Sequence, residues 1–449
     1  MGRLFGTDGV RGVANRELTP ELAFHLGRVG ASVLARDGGR ARVLVGRDTR
    51  LSGEMLEAAL IAGLTSVGAD AVRLGILPTP GVAYLTRAMS ASAGVMISAS
   101  HNPVPDNGIK FFAGDGFKLP DEVEDEIERV LHLEDDRLPR PTGLEVGRVL
   151  DEPDAWRGYA RFLCQACRAD LSGLKVVVDC AYGAAYRAAP AVLGELGAEV
   201  VALHDTPDGS RINVRCGSTH PDALRQAVIA AGADLGLAHD GDADRAIAVD
   251  ESGEVVDGDH LMAICALDRL AGGGLPGGAI AVTVYSNLGL HEALRAAGGG
   301  VVVTDNGDRY VLEAMRRHGL AIGGEQSGHI IFLEHNTTGD GILTGLKVME
   351  VMARTRRPLS ALAAAMRTFP QILENVPVAA KEALTCNEAI REAVATAEED
   401  LAGRGRIFVR ASGTENLIRV MAEGPDEGEL RRIVDGVAGV IGKELGYRD

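Results

Sequence analysis

The chain contains no run of the roughly 18 to 20 apolar residues that a bilayer-spanning helix needs, so a helical membrane protein is not expected. It also lacks an excess of positive charge. Lys and Arg number 46 against 63 Asp and Glu, a formal net charge of −17. A nucleic-acid binder would be expected to show a basic face, so that class is disfavoured. Acidity of this size reports mainly on solubility, and an anionic small substrate stays open if its site is locally positive. Cysteine is sparse: Cys164, Cys167, Cys180, Cys216, Cys265 and Cys386. The CxxC at Cys164 and Cys167 lies in "YARFLCQACRAD", which reads as helix, with no second CxxC and no nearby His pair to complete a zinc site. Reduced thiols are the expectation. The opening "MGRLFGTDGVRG" has no apolar signal core. It also carries Gly6 where a myristoylation signal wants Ser or Thr, so the cytoplasm is the expected location. A GxSxG elbow is absent too, which removes one route to a nucleophilic serine.

What is present is a repeated pattern. Hydrophobic residues make up 46% of 449, enough for several cores, and length alone suggests about three domains. "RVLVGRDTRLSGEMLEAALIAGLTSVGADAVRLG" (42–75), "KVVVDCAYGAAYRAAPAVLGELGAEVVAL" (175–203) and "AIAVTVYSNLGLHEALRAAGGGVVVTD" (279–305) each read strand, loop, helix, strand. That is a βαβ unit, with parallel strands and a right-handed crossover. The 58 glycines fall between periodic segments and read as turns of an α/β protein. The expected fold is three tandem related α/β domains with mixed sheets, 1–150, 151–255 and 256–368. Beyond 369 the pattern changes to short strands and helices, read as a smaller C-terminal α+β domain, 369–449.

Four polar loops interrupt these apolar runs. In "GVMISASHNPVPDNGIKFF" (94–112), Ser100 and His101 follow a buried-looking strand and Lys110 lies just beyond. A serine hydroxyl needs activation to act as a nucleophile. A serine that carries a phosphoryl group on a rigid turn fits this place; so does a plain turn before Pro103. In "LAHDGDADRAIAVD" (237–250), Asp240, Asp242 and Asp244 alternate. Alternation in an extended segment aims side chains one way, and three like charges call for a cation, with Mg²⁺ suited to hard oxygen ligands. The other readings are a solvated acidic turn and an EF-hand, the latter weakened by Arg245 where the sharp turn wants Gly. "IGGEQSGHIIF" (322–332) offers Glu325, Gln326, Ser327 and His329 to sugar hydroxyls, or is a polar turn between strands. "VRASGTENLIRV" (409–420) places Ser412, Gly413 and Thr414 between Arg410 and Arg419. Such donors bind phosphate, although a turn with two surface arginines has the same appearance.

Taken together, "FGTDGVRG", "SASHNPVPDNGIKFF", "DGDADR", "GGEQSGH" and "RASGTENLIRVM" resemble the α-D-phosphohexomutase superfamily, in order and spacing from Phe5 to Met421. Gln326 favours its glucosamine branch over the glucose and mannose branches. Asn306 in "TDNGDRY" departs from the apolar residue many members carry there. The resemblance implies domains arranged around a central cleft and a possible homodimer. It implies interconversion of glucosamine 6-phosphate and glucosamine 1-phosphate, feeding UDP-N-acetylglucosamine synthesis. Ser100 would be phosphorylated, with a sugar bisphosphate as intermediate or activator. One Mg²⁺ would sit on Asp240, Asp242, Asp244 and the phosphorylated Ser100. Lys110, Arg245 and Arg11 would offset the remaining negative charge. Lys110 and His101 are the candidates for proton handling, with His329 a weaker one. Glu325 and Ser327 would hold ring hydroxyls, and Arg410, Ser412, Gly413, Thr414 and Arg419 the non-reacting phosphate. A phosphoglucose or phosphomannose mutase, a non-catalytic sugar-phosphate sensor and a phosphatase remain as alternatives.

Overall fold

A computed structural model describes residues 3–6, 8–34, 40–133, 136–401, 403–412 and 416–447. The chain forms two compact units, 1–285 with 297–365, and 286–296 with 366–449.

The first unit contains three sheets. The first is built from β1 (Val10–Val13), β2 (Arg42–Arg47), β3 (Asp70–Ile76), β4 (Ala93–Ile97), β5 (Asp106–Ala113) and β6 (Val149–Asp151), in the order β1-β5-β4-β2-β3-β6. The second joins β7 (Lys175–Asp179), β8 (Glu199–Leu203), β9 (Leu235–His239), β10 (Ala246–Asp250) and β11 (Val255–Val256), ordered β11-β10-β9-β7-β8. The third has β12 (Ala279–Thr283), β13 (Gly300–Thr304), β14 (Ile322–Gly324) and β15 (Ile330–Phe332), ordered β13-β12-β14-β15.

One plan underlies all three sheets. Two strands joined through a helix pair in parallel, β2 with β3, β7 with β8 and β12 with β13. A third strand pairs parallel to the first on its other side, and a fourth returns antiparallel along the third. The parallel strands read as short continuous apolar runs because both of their faces are covered. Val43, Val45, Val95, Ile97, Ile109 and Phe111 pack with Leu26, Leu56 and Leu60 of the helices Pro20–Leu34 and Ser52–Ser66. The three strand–helix–strand readings from sequence correspond to β2 and β3, β7 and β8, and β12 and β13. The fourth strand's reversal makes each sheet mixed.

In the second unit β16 (Gln371–Pro377), β17 (Arg406–Ala411) and β18 (Leu417–Glu423) form an antiparallel sheet ordered β16-β18-β17. Its apolar face, with Ile372, Ile418 and Val420, is covered by Ile433, Val434, Val437 and Ile441 of the helix Glu427–Leu445. Among the described residues, no helix is long and apolar enough to cross a membrane.

Candidate active site

The repeated topology puts three of the polar loops at equivalent places. Each joins the third strand to the fourth: Ser98–Pro105 between β4 and β5, Asp240–Arg245 between β9 and β10, Glu325–Gly328 between β14 and β15. Ser100 is buried, with a left-handed φ of 53°. For a non-glycine residue that backbone costs on the order of 1–3 kcal/mol and persists only where the surroundings over-determine it.

Arg50 does much of that determining. It is fully buried, and its guanidinium donates to Asp48 Oδ2 at 3.0 Å and to the carbonyls of Pro103 (2.6 Å), Asp106 (2.9 Å), Ser100 (2.9 Å) and Asn102 (2.8 Å). Asp48 also accepts the Ser98 hydroxyl at 2.6 Å, and Ser98 Oγ in turn accepts the Ser100 N–H at 2.9 Å. Asn213 Nδ2 adds a second bond to the Ser100 carbonyl, at 2.9 Å.

The Ser100 hydroxyl donates to Asp240 Oδ2 at 2.5 Å, and His101 Nδ1 lies 3.3 Å from Ser100 Oγ. Asp240, Asp242 and Asp244 are all buried, and each offers a carboxylate oxygen within 4.8 Å of the other two. They converge through a hairpin turn with Ala243 at φ 56°, rather than through the strand alternation expected from sequence. The approach of this turn to the serine loop needs a glycine. A Cβ on Gly241 would lie 2.6 Å from the Ser100 carbonyl oxygen. Burial, then Asp244 and Asp242, push Asp240 well above the usual carboxylate range. Asp242 Oδ1 and Asp244 Oδ1 are buried and lack a hydrogen-bond partner among the described residues. Buried carboxylate oxygens left without donors carry a desolvation penalty that a bound cation removes. The trio therefore suits a metal ion.

Cationic groups ring it. Lys110, buried on β5, donates to Asp242 Oδ2 at 3.0 Å and lies 3.5 Å from Asp244 Oδ2. Burial alone would lower its pKa; Asp242 and Asp244 outweigh that and hold it above its ordinary value. Arg245 Nε sits 3.9 Å from Asp244 Oδ1. His329 Nδ1 is 3.6 Å from Asp244 Oδ2 and its Nε2 is 3.3 Å from Asp308 Oδ2; burial alone would lower its pKa, but the two carboxylates outweigh that and raise it to about 10. Burial and the nearby Arg245 and Arg11 lower His101 to about 4. A further chain of charge runs outward: Lys118 donates to Asp308 Oδ2 at 2.5 Å and to Asp8 Oδ1 at 2.8 Å, and Arg11 Nη2 lies 3.1 Å from Asp8 Oδ2. In the third loop the Ser327 hydroxyl donates to Glu325 Oε2 at 3.2 Å, and Gln326 Nε2 to Asp257 Oδ2 at 3.2 Å.

In the second unit, the β17–β18 register makes Arg410 and Arg419 direct cross-strand partners. Like charges placed opposite each other repel, and an anion between them relieves this. Ser412 is buried beside them, its carbonyl accepting from Lys381 Nζ at 2.8 Å. Gly413 and Thr414 lie outside the described residues.

Several residues at this site have no mark in the sequence reading: Asp48, Arg50, Thr79, Asn213, Asp8, Lys118 and Asp308. Thr79 donates its hydroxyl to Asp242 Oδ2 at 2.6 Å and its N–H to the Asp242 carbonyl at 2.9 Å. The available signal was "GRDTR" after the first strand of the first repeat, where Asp48 and Arg50 interrupt an apolar run with an ion pair.

Four models of the phosphoglucomutase/phosphomannomutase family match in order: α/β/α domain I at residues 2–137, domain II at 157–253, domain III at 257–369 and the C-terminal domain at 373–440. The chain is 61% identical over 437 residues to a phosphoglucosamine mutase of Moorella thermoacetica, covering 97% of this chain and 98% of that protein. To the phosphoglucosamine mutase of Desulforudis audaxviator it is 60% identical, covering 98% of each. Among solved structures, a phosphoglucomutase/phosphomannomutase family protein from Burkholderia thailandensis superposes with a TM-score of 0.84 at 26% identity, over 99% of both chains. The Aspergillus fumigatus N-acetylphosphoglucosamine mutase, solved with GlcNAc-6P and magnesium, shares the fold with a TM-score of 0.69 at 19% identity, over 98% of this chain and 95% of that one. The chain thus belongs to the phosphoglucomutase/phosphomannomutase family, among its phosphoglucosamine mutases.

Proposed function

We propose that this chain is an isomerase interconverting glucosamine 6-phosphate and glucosamine 1-phosphate, with Ser100 carrying the phosphoryl group between turnovers. The observation that carries this reading is the Ser100 hydroxyl held 2.5 Å from Asp240 at the edge of a buried acidic trio. High identity to phosphoglucosamine mutases supports the glucosamine substrate. Three hard carboxylates suit Mg²⁺, which when bound neutralises charge on phosphoryl oxygens.

The chain's own residues do the rest. The P–O bond to Ser100 Oγ breaks as a sugar hydroxyl, O1 or O6, forms its own bond to phosphorus and gives up its proton. The resulting sugar bisphosphate then returns its other phosphoryl group to Ser100, so the enzyme ends as it began. Phosphoryl transfer asks for in-line positioning and offset of spread negative charge. The buried Lys110 and the half-buried Arg245 supply that charge, with Arg11 beyond them. Lys110 and His101 are the groups proposed to handle protons, with His329 third in line: His101, lowered to about 4, can accept the sugar hydroxyl proton, and the cationic Lys110 can supply one to Ser100 Oγ. Glu325 and Ser327 hold ring hydroxyls. In the second unit Arg410 and Arg419, with Ser412, Gly413 and Thr414, supply donors for the non-reacting phosphate. A serine buried this deeply is also shielded from water, which would otherwise hydrolyse the phosphoenzyme.

The test has two arms. Intact mass should show one added phosphate localised to Ser100 and discharged by substrate, and Ser100→Ala should abolish turnover with circular dichroism unchanged. An alanine variant that keeps near-wild-type turnover with bisphosphate supplied defeats the serine role. Separately, kcat/KM should be highest for glucosamine phosphates; a preference for glucose or mannose phosphates overturns the substrate assignment alone.

A further inference from the structure

A second cluster of metal-ligating side chains lies in the middle repeat, outside the acidic trio. Asp179 ends β7, and His204 follows the end of β8. Cys216 lies in the loop that returns toward β9. One ligand atom from each lies within 4.8 Å of the other two. The carboxyl ends of parallel strands are where α/β sheets gather ligands.

The supports around the three are those of a fixed ligand set. Asp179 Oδ1 accepts the Ala181 N–H at 2.8 Å and Oδ2 the Gly217 N–H at 2.9 Å, so both oxygens are oriented. His204 Nδ1 is 2.9 Å from Asp179 Oδ1, and its ring packs at 4.8 Å against Tyr182. Arg211 clamps Tyr182 from beyond, bonded to its hydroxyl at 3.0 Å. Cys216 is 1% exposed, and its thiol reaches the Arg211 carbonyl only at 4.0 Å. Outer groups that orient first ligands in this manner are a regular part of metal sites. Left-handed backbone is concentrated here as well: of ten such non-glycine residues among the described ones, Ala181, Tyr182, His204, Asn213 and Arg215 belong to these segments.

Two simpler accounts fall short. An Asp–His hydrogen bond explains two members but not the buried thiol beside them. A Cys–His–Asp nucleophile needs an accessible thiol, whereas Cys216 is buried.

We propose that Asp179, His204 and Cys216 form a three-ligand site for a tetrahedral divalent transition metal of the zinc class. One carboxylate oxygen, one imidazole nitrogen and one thiolate make a donor set suited to Zn²⁺, with a fourth position left for water. Bonds of 2.0 to 2.3 Å would set the ligand atoms about 3.3–3.7 Å apart, so the three atoms, now within 4.8 Å of one another, would rearrange to that spacing on binding. Binding displaces the thiol proton to solvent, and the imidazole ligates in its neutral form with its remaining N–H on the other ring nitrogen. The metal would tie the ends of β7 and β8 to the segment that carries Asn213, whose side chain holds the Ser100 carbonyl.

Cobalt(II) titration of the full-length, chelator-treated chain in excess Mg²⁺ tests this, because a thiolate-to-cobalt charge-transfer band reports sulfur ligation whatever the acidic trio does. One equivalent should produce the band, and Zn²⁺ should displace it. Cys216→Ser and His204→Asn should each weaken cobalt binding at least about a hundredfold, since loss even of an outer-shell partner costs 10–100-fold. Cys386→Ser, an exposed control, should leave the band intact. Absence of the band in the unmodified chain, or its survival in Cys216→Ser, overturns the site. Circular dichroism on the near-isosteric Cys216→Ser separates lost ligation from lost fold.

Discussion

Arg50 shows how much one side chain can be asked to do. A guanidinium has five N–H donors in a fixed fork, and here all five are used, one on Asp48 and four on carbonyls of the serine loop and its flank. Lysine has three donors on a point charge and cannot span that set. Arg50→Lys should therefore leave carbonyls and part of the Asp48 charge unmet in a fully buried place. Breaking a buried pair in this way costs about 3–5 kcal/mol. The loop would also lose the contacts that hold Ser100 in its left-handed conformation, and a shift of about 1 Å at a reacting group can cost a hundredfold in rate. Urea unfolding should show the loss of stability, and kcat should fall far more than KM changes. An Arg50→Lys enzyme with normal kcat and an unmoved midpoint would show that the fork is dispensable.

The next scale is the strand-three to strand-four connection, used three times. A fourth strand running back along the third leaves a tight turn at one end of each sheet, and the serine, the aspartates and Glu325 occupy those turns. Gly241 and Ser100 are the point where two of these turns meet. Gly241→Ala should force them apart, because the added carbon falls 2.6 Å from the Ser100 carbonyl and 2.8 Å from Ile212 Cδ1. Overpacking of this kind costs about 1–3 kcal/mol, small enough for the fold to persist. Turnover should fall at least about tenfold and Mg²⁺ should bind more weakly, read from kinetics at titrated Mg²⁺. Wild-type kinetics in that variant would mean the two loops have slack.

The same elements show why sequence reading succeeds where it does. Val43–Val45, Val176–Val178 and Ile280–Val282 are local apolar runs followed by periodic helices, so strand, helix and strand are visible in a short window. The aspartate trio is visible because its three members are neighbours in the chain. Asp48 with Ser98, Thr79 with Asp242 and Asn213 with Ser100 are joined only by folding, across 50, 163 and 113 residues. Nothing local marks them. The hairpin that gathers the aspartates escapes a strand-alternation argument for a similar reason: it depends on Ala243 adopting a left-handed φ that its residue type does not advertise.

At the scale of the molecule, the first unit is tied together by a buried polar hub around Asp340. Its Oδ1 accepts the Tyr159 hydroxyl at 2.8 Å, from the helix Ala155–Ala166, and the Leu343 N–H at 3.0 Å, capping the helix Gly341–Thr355. Its Oδ2 accepts from Asn336 Nδ2 at 3.0 Å, and Asn336 also reaches the Pro80 carbonyl at 3.2 Å. Residues from two of the α/β segments thus meet at one carboxyl group, and the remaining segment is reached through Asn336. Burial, only partly countered by the Leu343, Asn336 and Tyr159 hydrogen bonds, raises Asp340 to about 6 from an ordinary 3.8. The sign of the linkage follows. Between those two values the folded chain keeps a proton that the unfolded chain has released, so stability contributed at this position falls as pH rises through that window and is level above it. A shift of this size corresponds to roughly 3 kcal/mol. Asp340→Asn keeps the shape and an acceptor but cannot ionise, so the stability of wild type relative to Asp340→Asn should decline by about that amount between pH 4 and pH 7. Chemical denaturation of both proteins across that range measures the difference directly. Parallel stability curves would show that the Asp340 carboxyl is as free to ionise in the folded chain as in water, and that the hub is held by hydrogen bonds indifferent to its charge.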